Sequence, residues 1–161
     1  MAGEDDGRCT CPERVPERYV ARISGPLRDR IDLWVPMTRI PARDFFAEAE
    51  PESSAAVAAR IAAARARQLE RGHGRLNARV GGRPMRLAAR MGSPAMTRLA
   101  ELVDAERLSG RGADRLVRVA RTIADLGLVD SVDERHLDEA ARFRAPAGRP
   151  SPSHVGRHRA R

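Results

Sequence analysis

The segment GADRLVRVARTIADL, residues 112–126, has the clearest amphipathic pattern in the chain. Its apolar side chains recur at a spacing of three and four residues, which is typical of an α-helix with one buried face. The residues predicted to face inward are Leu116, Ala120 and Ile123. Two oppositely charged i, i+4 pairs, Asp114/Arg118 and Arg121/Asp125, are expected on the solvent side of this helix.

Helical patterns also lie upstream of this segment. Ser53 or Ser54 caps an alanine-rich helix that runs to about Arg71. A weaker helical segment around residues 85–91 follows, and Ser93 opens another helix. The predicted buried positions of the alanine-rich helix are Val57, Ile61, Ala64 and Leu69.

The downstream residues predict one more helix and a tail. Residues 131–134, Ser-Val-Asp-Glu, have the form of a capping box for a helix that reaches about Phe143, within which we expect His136 to pack or to cap. The Pro/Ser/Arg-rich residues 145–161 predict a disordered basic tail. Residues 51–144 therefore predict a bundle of four or five helices, and the fold class is mostly α.

The first fifty residues have a different pattern. Residues 13–23 predict a short helix, which Ser24-Gly25-Pro26 ends before starting a second, brief helix with Ser24 or Gly25 as its cap. The apolar residues 31–37 predict a strand bounded by prolines. Because one strand cannot form a sheet, we interpret residues 1–50 as a short α/β remnant of a larger core.

The composition excludes some functions and favours others. Every one of the 30 basic residues is arginine, so a phosphate-binding P-loop and Schiff-base chemistry, which both need lysine, are excluded for this sequence. The net charge of +8 favours a nucleic-acid partner, although residues 145–161 supply four arginines and no acid. No apolar run is long enough to span a membrane and no secretory signal is visible, so we expect a cytoplasmic protein.

The cysteines and histidines give no complete metal site. Cys9 and Cys11 are too few and too close for a disulfide framework, and they supply two of the four ligands that structural zinc requires. We therefore predict that this chain holds no metal. The histidines, which are too scattered to complete such a site, are His73, His136, His154 and His158.

A series of short motifs between residues 8 and 144 identifies a family. The motifs are Cys9-Thr10-Cys11, Tyr19, RISGPLRDRIDL (22–33), ESSAAV (52–57), ARARQLER (64–71), Asn77-Ala78, LSGRGADRLVRVARTIADL (108–126), His136-Leu137 and Glu139-Ala140. In this order they resemble the C-terminal part of the magnesium-chelatase-like AAA+ ATPases of the ComM/YifB type. The Walker A, Walker B and sensor 1 segments of that family are not in this sequence and are expected upstream of Met1.

The resemblance implies a domain organisation and a role for one arginine. Residues 1–50 would be the C-terminal edge of the AAA+ core, and residues 51–144 the helical lid. Arg30 occupies the position of the arginine finger, which acts in trans on the γ-phosphate held by a neighbouring subunit. Position 28 is usually leucine in the family, so Arg28 is a departure. From the residues alone, a solvated residue at a helix end is the favoured interpretation of Arg30, and only the resemblance favours the phosphate role.

Arg111 is the second candidate, and the resemblance places the sensor 2 arginine, which contacts ATP phosphate, at this position. The macrodipole disfavours a cation at the amino end of a helix, unless an anion binds there. The glycines on either side would let a ligand approach the backbone. The alternative is a surface arginine in a flexible cap.

The resemblance implies an arginine finger and a sensor 2 for ATP hydrolysis coupled to DNA remodelling such as branch migration. ATP and Mg²⁺ are then cofactors only of a complete AAA+ module, and this chain alone is predicted to be inactive. The implied partners are the other AAA+ half or neighbouring subunits of a ring, a hexamer in the family, together with DNA. No membrane is expected as a partner.

Two other interpretations remain open at this stage. The chain is alternatively a small basic helical DNA-binding module with no ATPase role, since its short, closely connected helices resemble helix-turn-helix arrangements. It is alternatively the product of a truncated, mis-started or split reading frame with no function of its own.

Overall fold

The computed structural model of the chain describes residues 22–24, 27, 30–35, 37, 40, 42, 46 and 52–144. The chain divides into two compact units, residues 1–33 and 34–161. Of the helix predicted over residues 13–23, residues 13–21 lie outside the described residues, and residues 22 and 23 are not helical. Cys9, Cys11, the predicted tail, His154 and His158 also lie outside the described residues. The predicted division into 1–50, 51–144 and 145–161 stays a prediction.

In the first unit, Ser24 caps a helical turn as predicted. Its Oγ accepts a hydrogen bond from the N–H of Leu27 at 3.4 Å, and its carbonyl accepts from the same N–H at 3.0 Å. The N–H of Arg30 then donates to the carbonyl of Leu27 at 2.9 Å. The N–H of Leu27 is thus shared between the carbonyl and the hydroxyl of Ser24, a three-centre arrangement that is common at the start of a helical turn.

The strand predicted over residues 31–37 is not confirmed. Residues 31–35 and 37 lie outside regular secondary structure, and no described residue of the chain is in a strand. A strand is stable only when a neighbouring segment accepts and donates its backbone hydrogen bonds. The N–H of Trp34 instead donates to the carbonyl of Phe143 at 2.7 Å.

Five α-helices and one short 3₁₀ helix occupy residues 52–144, which confirms the mostly α fold class and the helical bundle. Each helical pattern downstream of residue 50 forms a helix, and two begin slightly earlier than predicted. The elements are α1 (Ser54–Arg71), the 3₁₀ helix (Asn77–Arg79), α2 (Gly82–Ala89), α3 (Ser93–Ala105), α4 (Gly110–Leu126) and α5 (Glu134–Arg142).

Helix α4 is the centre of the bundle. It packs against α1, the 3₁₀ helix, α2 and α5, while α3 packs against α5. A helix with neighbours on several sides needs small residues where backbones approach closely, and Ala120 and Ala124 are completely buried. The core is completed by Met85, Ala89, Ala95, Leu99, Leu102, Leu116, Val117, Val132, Leu137 and Ala140.

The buried face of α1 differs from the prediction. Ala64 is buried and Val57 is half-buried, but Ile61 and Leu69 are 41% and 42% exposed. Gln68 is buried instead, because its Oε1 accepts a hydrogen bond from the N–H of Asn77 at 3.2 Å. Helix α1 thus contacts the bundle through polar as well as apolar side chains.

Within the described residues, no helix is long and apolar enough to cross a bilayer.

The capping box of α5 forms two positions later than its predicted Ser131–Glu134 pattern. The N–H of His136 donates to Asp133 Oδ1 at 3.1 Å, and the N–H of Asp133 donates to His136 Nδ1 at 3.1 Å. Because α5 begins at Glu134, Asp133 is the N-cap and His136 is the third helical residue. The imidazole nitrogen therefore takes the acceptor role that glutamate usually has, and the prediction that His136 caps this helix is confirmed.

The packing of α5 on the core gives a first prediction. Leu137 is fully buried, so Leu137→Ala should lower the free energy of unfolding by about 2–5 kcal/mol through lost apolar contact and the cavity left behind. Leu87 is 67% exposed, and Leu87→Ala should change stability by less than about 0.5 kcal/mol. Urea unfolding of both variants measures the difference. Equal losses would contradict this description of the core.

Candidate functional site

The Arg121/Asp125 pair was predicted on the solvent side of α4, but it lies in the interior of the bundle. Neither side chain has any exposed surface, and Arg121 Nη2 lies 3.0 Å from Asp125 Oδ1. Both residues follow the buried Val117 at helical spacing, so they continue a core-facing stripe of α4. The predicted i, i+4 pairing of Arg121 with Asp125 is confirmed, whereas its predicted position on the exposed face of α4 is wrong.

Asp125 is the acceptor at the centre of a larger polar cluster. Arg71, at the end of α1, binds the carboxylate with both terminal nitrogens, at 2.8 Å to Oδ1 and 2.6 Å to Oδ2. Asn77 Nδ2 donates to Oδ2 at 2.9 Å and to Thr122 Oγ1 at 3.0 Å. Asn77 Oδ1 in turn accepts from Arg71 Nη2 at 3.0 Å. One carboxylate thereby connects α1, the 3₁₀ helix and α4.

Arg121 extends this cluster to the loop between α4 and α5. Its Nη1 donates to the carbonyl of Asp130 at 2.6 Å, and its Nη2 donates to the carbonyl of Val129. Its Nε–H has no hydrogen-bond partner among the described residues. Burial lowers the pKa of Arg121, although the charge of Asp125 opposes this shift. The buried ion pair therefore orders the loop as well as the helix.

The second predicted pair on α4 also binds elsewhere. Asp114 Oδ1 accepts a hydrogen bond from Arg86 Nη1 of α2 at 2.5 Å. Arg118 Nε donates to the carbonyl of Val80 at 3.2 Å. Both side chains thus also reach across to neighbouring segments, because those segments offer partners at the same helix face.

Arg111 lies in the first turn of α4, as its second residue, and its side chain is exposed. Among the described residues, no ion pair or side-chain hydrogen bond involves it. Ser109 caps the helix through its Oγ, which accepts from the N–H of Gly112 at 3.1 Å, and no acidic residue lies in the first turn. A Cβ at Gly110 would meet no atom within 4 Å, so the backbone beside Arg111 is open to a ligand.

A further arginine lies near the same helix end. Arg144 Nη1 is 3.6 Å from the position that a Cβ would take on the buried Gly112, and Arg144 Nε pairs with Glu106 Oε2 at 2.6 Å. A side chain at position 112 would approach this guanidinium. Because Gly112 has no side chain, the Arg144 guanidinium has no such neighbour at position 112.

Arg30 is exposed in the first unit, whereas Arg111 belongs to the second. The backbone N–H of Arg30 donates to the carbonyl of Leu27, and no described residue forms an ion pair with the Arg30 side chain. Arg28 lies outside the described residues. Nor does any group of three His, Cys, Asp or Glu side chains in the described part of the chain have a metal-binding arrangement.

Comparison with known proteins agrees with the family suggested by the motifs. Residues 51–144 match the family described as magnesium chelatase, subunit ChlI C-terminal, and residues 1–45 match magnesium chelatase, subunit ChlI. An uncharacterized protein of Mycobacterium tuberculosis is 41% identical over 151 residues, which are 92% of this chain and 30% of that protein. The uncharacterized protein YifB of Escherichia coli is 39% identical over 139 residues, 86% of this chain and 27% of that protein.

The competence protein ComM of Haemophilus influenzae is 31% identical over 137 residues, 84% of this chain and 26% of that protein. The chain thus spans about 30% of the length of the first of these relatives. The fold and these matches define a helical domain of the magnesium-chelatase class. Since the C-terminal family matches more than half of the chain, the chain belongs to the magnesium chelatase subunit ChlI family, and YifB and ComM are its relatives.

The buried cluster predicts a large effect of a nearly isosteric change. Asp125→Asn removes the charge that compensates Arg121, and we expect it to lower the free energy of unfolding by about 3–5 kcal/mol. Asp130→Asn is the matched control, because the Asp130 side chain is 78% exposed and its pair with Arg67 should contribute less than about 1 kcal/mol. Chemical denaturation measures both. A loss at Asp125 no larger than at Asp130 would contradict the central role of this carboxylate.

The capping box of α5 predicts a dependence on pH. Partial burial acts to raise the pKa of Asp133, but the hydrogen bond from His136 and the charges of His136 and Arg135 outweigh it and hold the pKa below its ordinary value of 3.8. The stabilisation is therefore present above that value and is lost as the pH falls through the lower pKa of the folded state.

Asp133→Asn keeps an acceptor but removes this charge. We expect the variant to be less stable than the parent at pH 5–7 by less than about 1 kcal/mol, since the side chain is half-exposed. Unfolding measured from pH 7 to pH 3 should show the difference shrinking in acid. A difference that grows as the pH falls would contradict the assignment.

Proposed function

We propose that this chain contributes an arginine finger, Arg30, and a sensor 2 arginine, Arg111, to an AAA+ ATPase assembly of the ComM/YifB type. In this proposal ATP hydrolysis requires Walker A, Walker B and sensor 1 segments from outside this sequence. The proposed partners are the other AAA+ half or neighbouring subunits of a hexameric ring, and the place of action is the cytoplasm.

The exposed position of Arg111 at the start of α4 is the observation that carries the proposal. A cation in the first turn of a 17-residue helix opposes the helix dipole, at a cost of some tenths of a kcal/mol. No carboxylate of the described residues compensates it. A phosphate group there would be favourable to both the helix end and the guanidinium, so the residues present fit the phosphates of ATP.

Arg30 supports the second half of the proposal. Its exposed side chain follows a helical turn whose start is fixed by the Ser24 cap, and no described residue pairs with it. Arginine suits a role in trans because its planar fork is permanently charged and can bind two phosphate oxygens at once. Such a residue stabilises the charge of the transferring phosphoryl group.

The coupling to DNA remodelling rests on two further considerations. The relative from Haemophilus influenzae is named a competence protein, and the motifs of this chain resemble a family that acts on DNA. The net charge of +8 is compatible with a phosphate backbone as partner.

A chimera tests both arginines. The region of Escherichia coli YifB that aligns with this chain is replaced by this chain, and phosphate release from ATP is measured. Arg30→Ala should lower turnover by about 10³-fold or more with ATP binding retained, since an arginine finger contributes that much to the rate. Arg111→Ala should weaken ATP binding.

Arg65→Ala is the matched control, because Arg65 is exposed on α1 and should leave turnover unchanged. The 161-residue chain alone should not turn over ATP. Turnover by the isolated chain, or full activity of both test variants, would contradict the proposal. Strong, salt-dependent DNA binding that survives Arg30→Ala and Arg111→Ala, without any ATP dependence, would favour the DNA-binding module instead.

A further inference from the structure

A cleft of about 300 Å³ lies between the end of α1 and the segment that contains the 3₁₀ helix and α2. It is not used by the proposed function, because Arg111 does not line it. Its charged and titratable lining consists of Arg71, His73, Arg75 and Arg90, and none of the described residues that line it is acidic. A second cavity of about 300 Å³ shares Arg71 and Arg90 with it and is bounded also by Arg67, Glu70 and Asp130.

The two exposed arginines of this cleft are Arg75 and Arg90, and Arg90 also borders the second cavity beside Glu70 and Asp130. Arg67, Arg86 and Arg98 all bind carboxylates. No described residue forms an ion pair with Arg75 or Arg90. Like charges gathered in a concave surface repel each other more strongly than on an open face, because the walls exclude water. An anion in the cleft would relieve this repulsion.

A third guanidinium in the cleft is held rigidly. Arg71 uses three of its five N–H donors on Asp125 and Asn77, and its side chain remains 20% exposed. Because the buried carboxylate fixes its position, little side-chain entropy is lost when its remaining donors bind a ligand.

The backbone around the cleft includes the ends of two helices. His73 and Arg90 both have left-handed backbone angles, with φ of 49° and 48°, in the turns that end α1 and α2. This conformation commonly ends a helix, and Arg107 and Leu128 adopt it after α3 and α4. The turn that directly follows α1 is tight, since a Cβ on Gly72 would lie 2.1 Å from the carbonyl oxygen of Arg75. The position of Arg75 thus depends on this glycine.

The other wall of the cleft is apolar. Leu87 is 67% exposed, and the side chain of Met85 is buried beneath this surface. Such a wall favours a ligand whose anionic group is attached to an apolar or aromatic body over a bare ion. The apolar residues that complete this wall are Val80, Pro84 and Ala88.

We propose that this cleft binds the phosphate group of a phosphate ester. Arg75 and Arg90 contact the phosphate oxygens, Arg71 is the fixed third donor, and the apolar wall accepts the rest of the ligand. The ester is either a free mononucleotide or a nucleotide within a single nucleic-acid strand, since both present a phosphate beside a flat ring.

The test uses the 161-residue chain labelled with ¹⁵N and three probes, namely inorganic phosphate, adenosine monophosphate and a short single-stranded oligonucleotide. We expect saturable amide shifts confined to residues 71–80 and 85–90, with adenosine monophosphate or the oligonucleotide binding more tightly than inorganic phosphate. Arg75→Gln with Arg90→Gln should weaken binding by about tenfold or more, since two charge-assisted contacts are removed.

Arg65→Gln with Arg79→Gln is the matched control. It removes the same charge from exposed positions outside the cleft, and its affinity should stay within about twofold of the parent, as expected for surface charges away from a site. Arg75→Gln alone, which leaves position 90 unchanged, should weaken binding by about threefold, a smaller loss because one contact remains. Thermal unfolding of every variant checks that it is folded.

The probes also distinguish the two sources of phosphate. Tighter binding of adenosine monophosphate than of the oligonucleotide assigns a free nucleotide, and the reverse order assigns a strand. Equal affinity of the two double variants, or shifts spread over all arginine-rich surfaces, would overturn the proposal. Arg111→Ala should leave this binding unchanged, so that failure of the proposed ATPase role does not affect the result.

Discussion

The bundle depends on one buried carboxylate. Asp125 receives four donated contacts from Arg71, Asn77 and Arg121, and these residues come from α1, the 3₁₀ helix and α4. Burying ionic groups is expensive, and the cost is offset only where every partner is well placed. The apolar core explains why helices collapse together. The carboxylate explains why the end of α1 and the loop after α4 occupy one defined arrangement.

Much of the fold could be predicted from the sequence, because its helices carry local signals. These signals are all short-range: they are the serine caps at Ser53 and Ser109, the glycines after α1 and α4, and the apolar spacing in α4. The predicted strand failed because strand formation depends on a distant partner. The faces of Arg121 and Asp125 were misassigned because charge alone suggests exposure. Their spacing from Val117 places them on the buried face, but the burial of Val117 is known only from the structure.

The candidate arginines illustrate a different limit of sequence reasoning. With 30 arginines in the chain, residue type distinguishes none of them. What separates them is the supply of countercharge, which depends on tertiary contacts. Arg86 and Arg98 form ion pairs with carboxylates, whereas no described residue forms an ion pair with Arg111, Arg75 or Arg90. The positive φ of Arg90 likewise has no sequence signal, since glycine or asparagine would be the usual residue there.

The sharing of Asp125 by several elements has a consequence for how the protein opens. In many helical domains a terminal helix frays or detaches while the remainder stays folded, and amide exchange then reports separate cooperative units. Here the last turn of α1 cannot leave without exposing a carboxylate and a guanidinium that also hold the loop before α5. Helices α1 and α4 should therefore exchange their amide hydrogens as a single unit, which makes the ionic cluster a source of cooperativity as well as of structure.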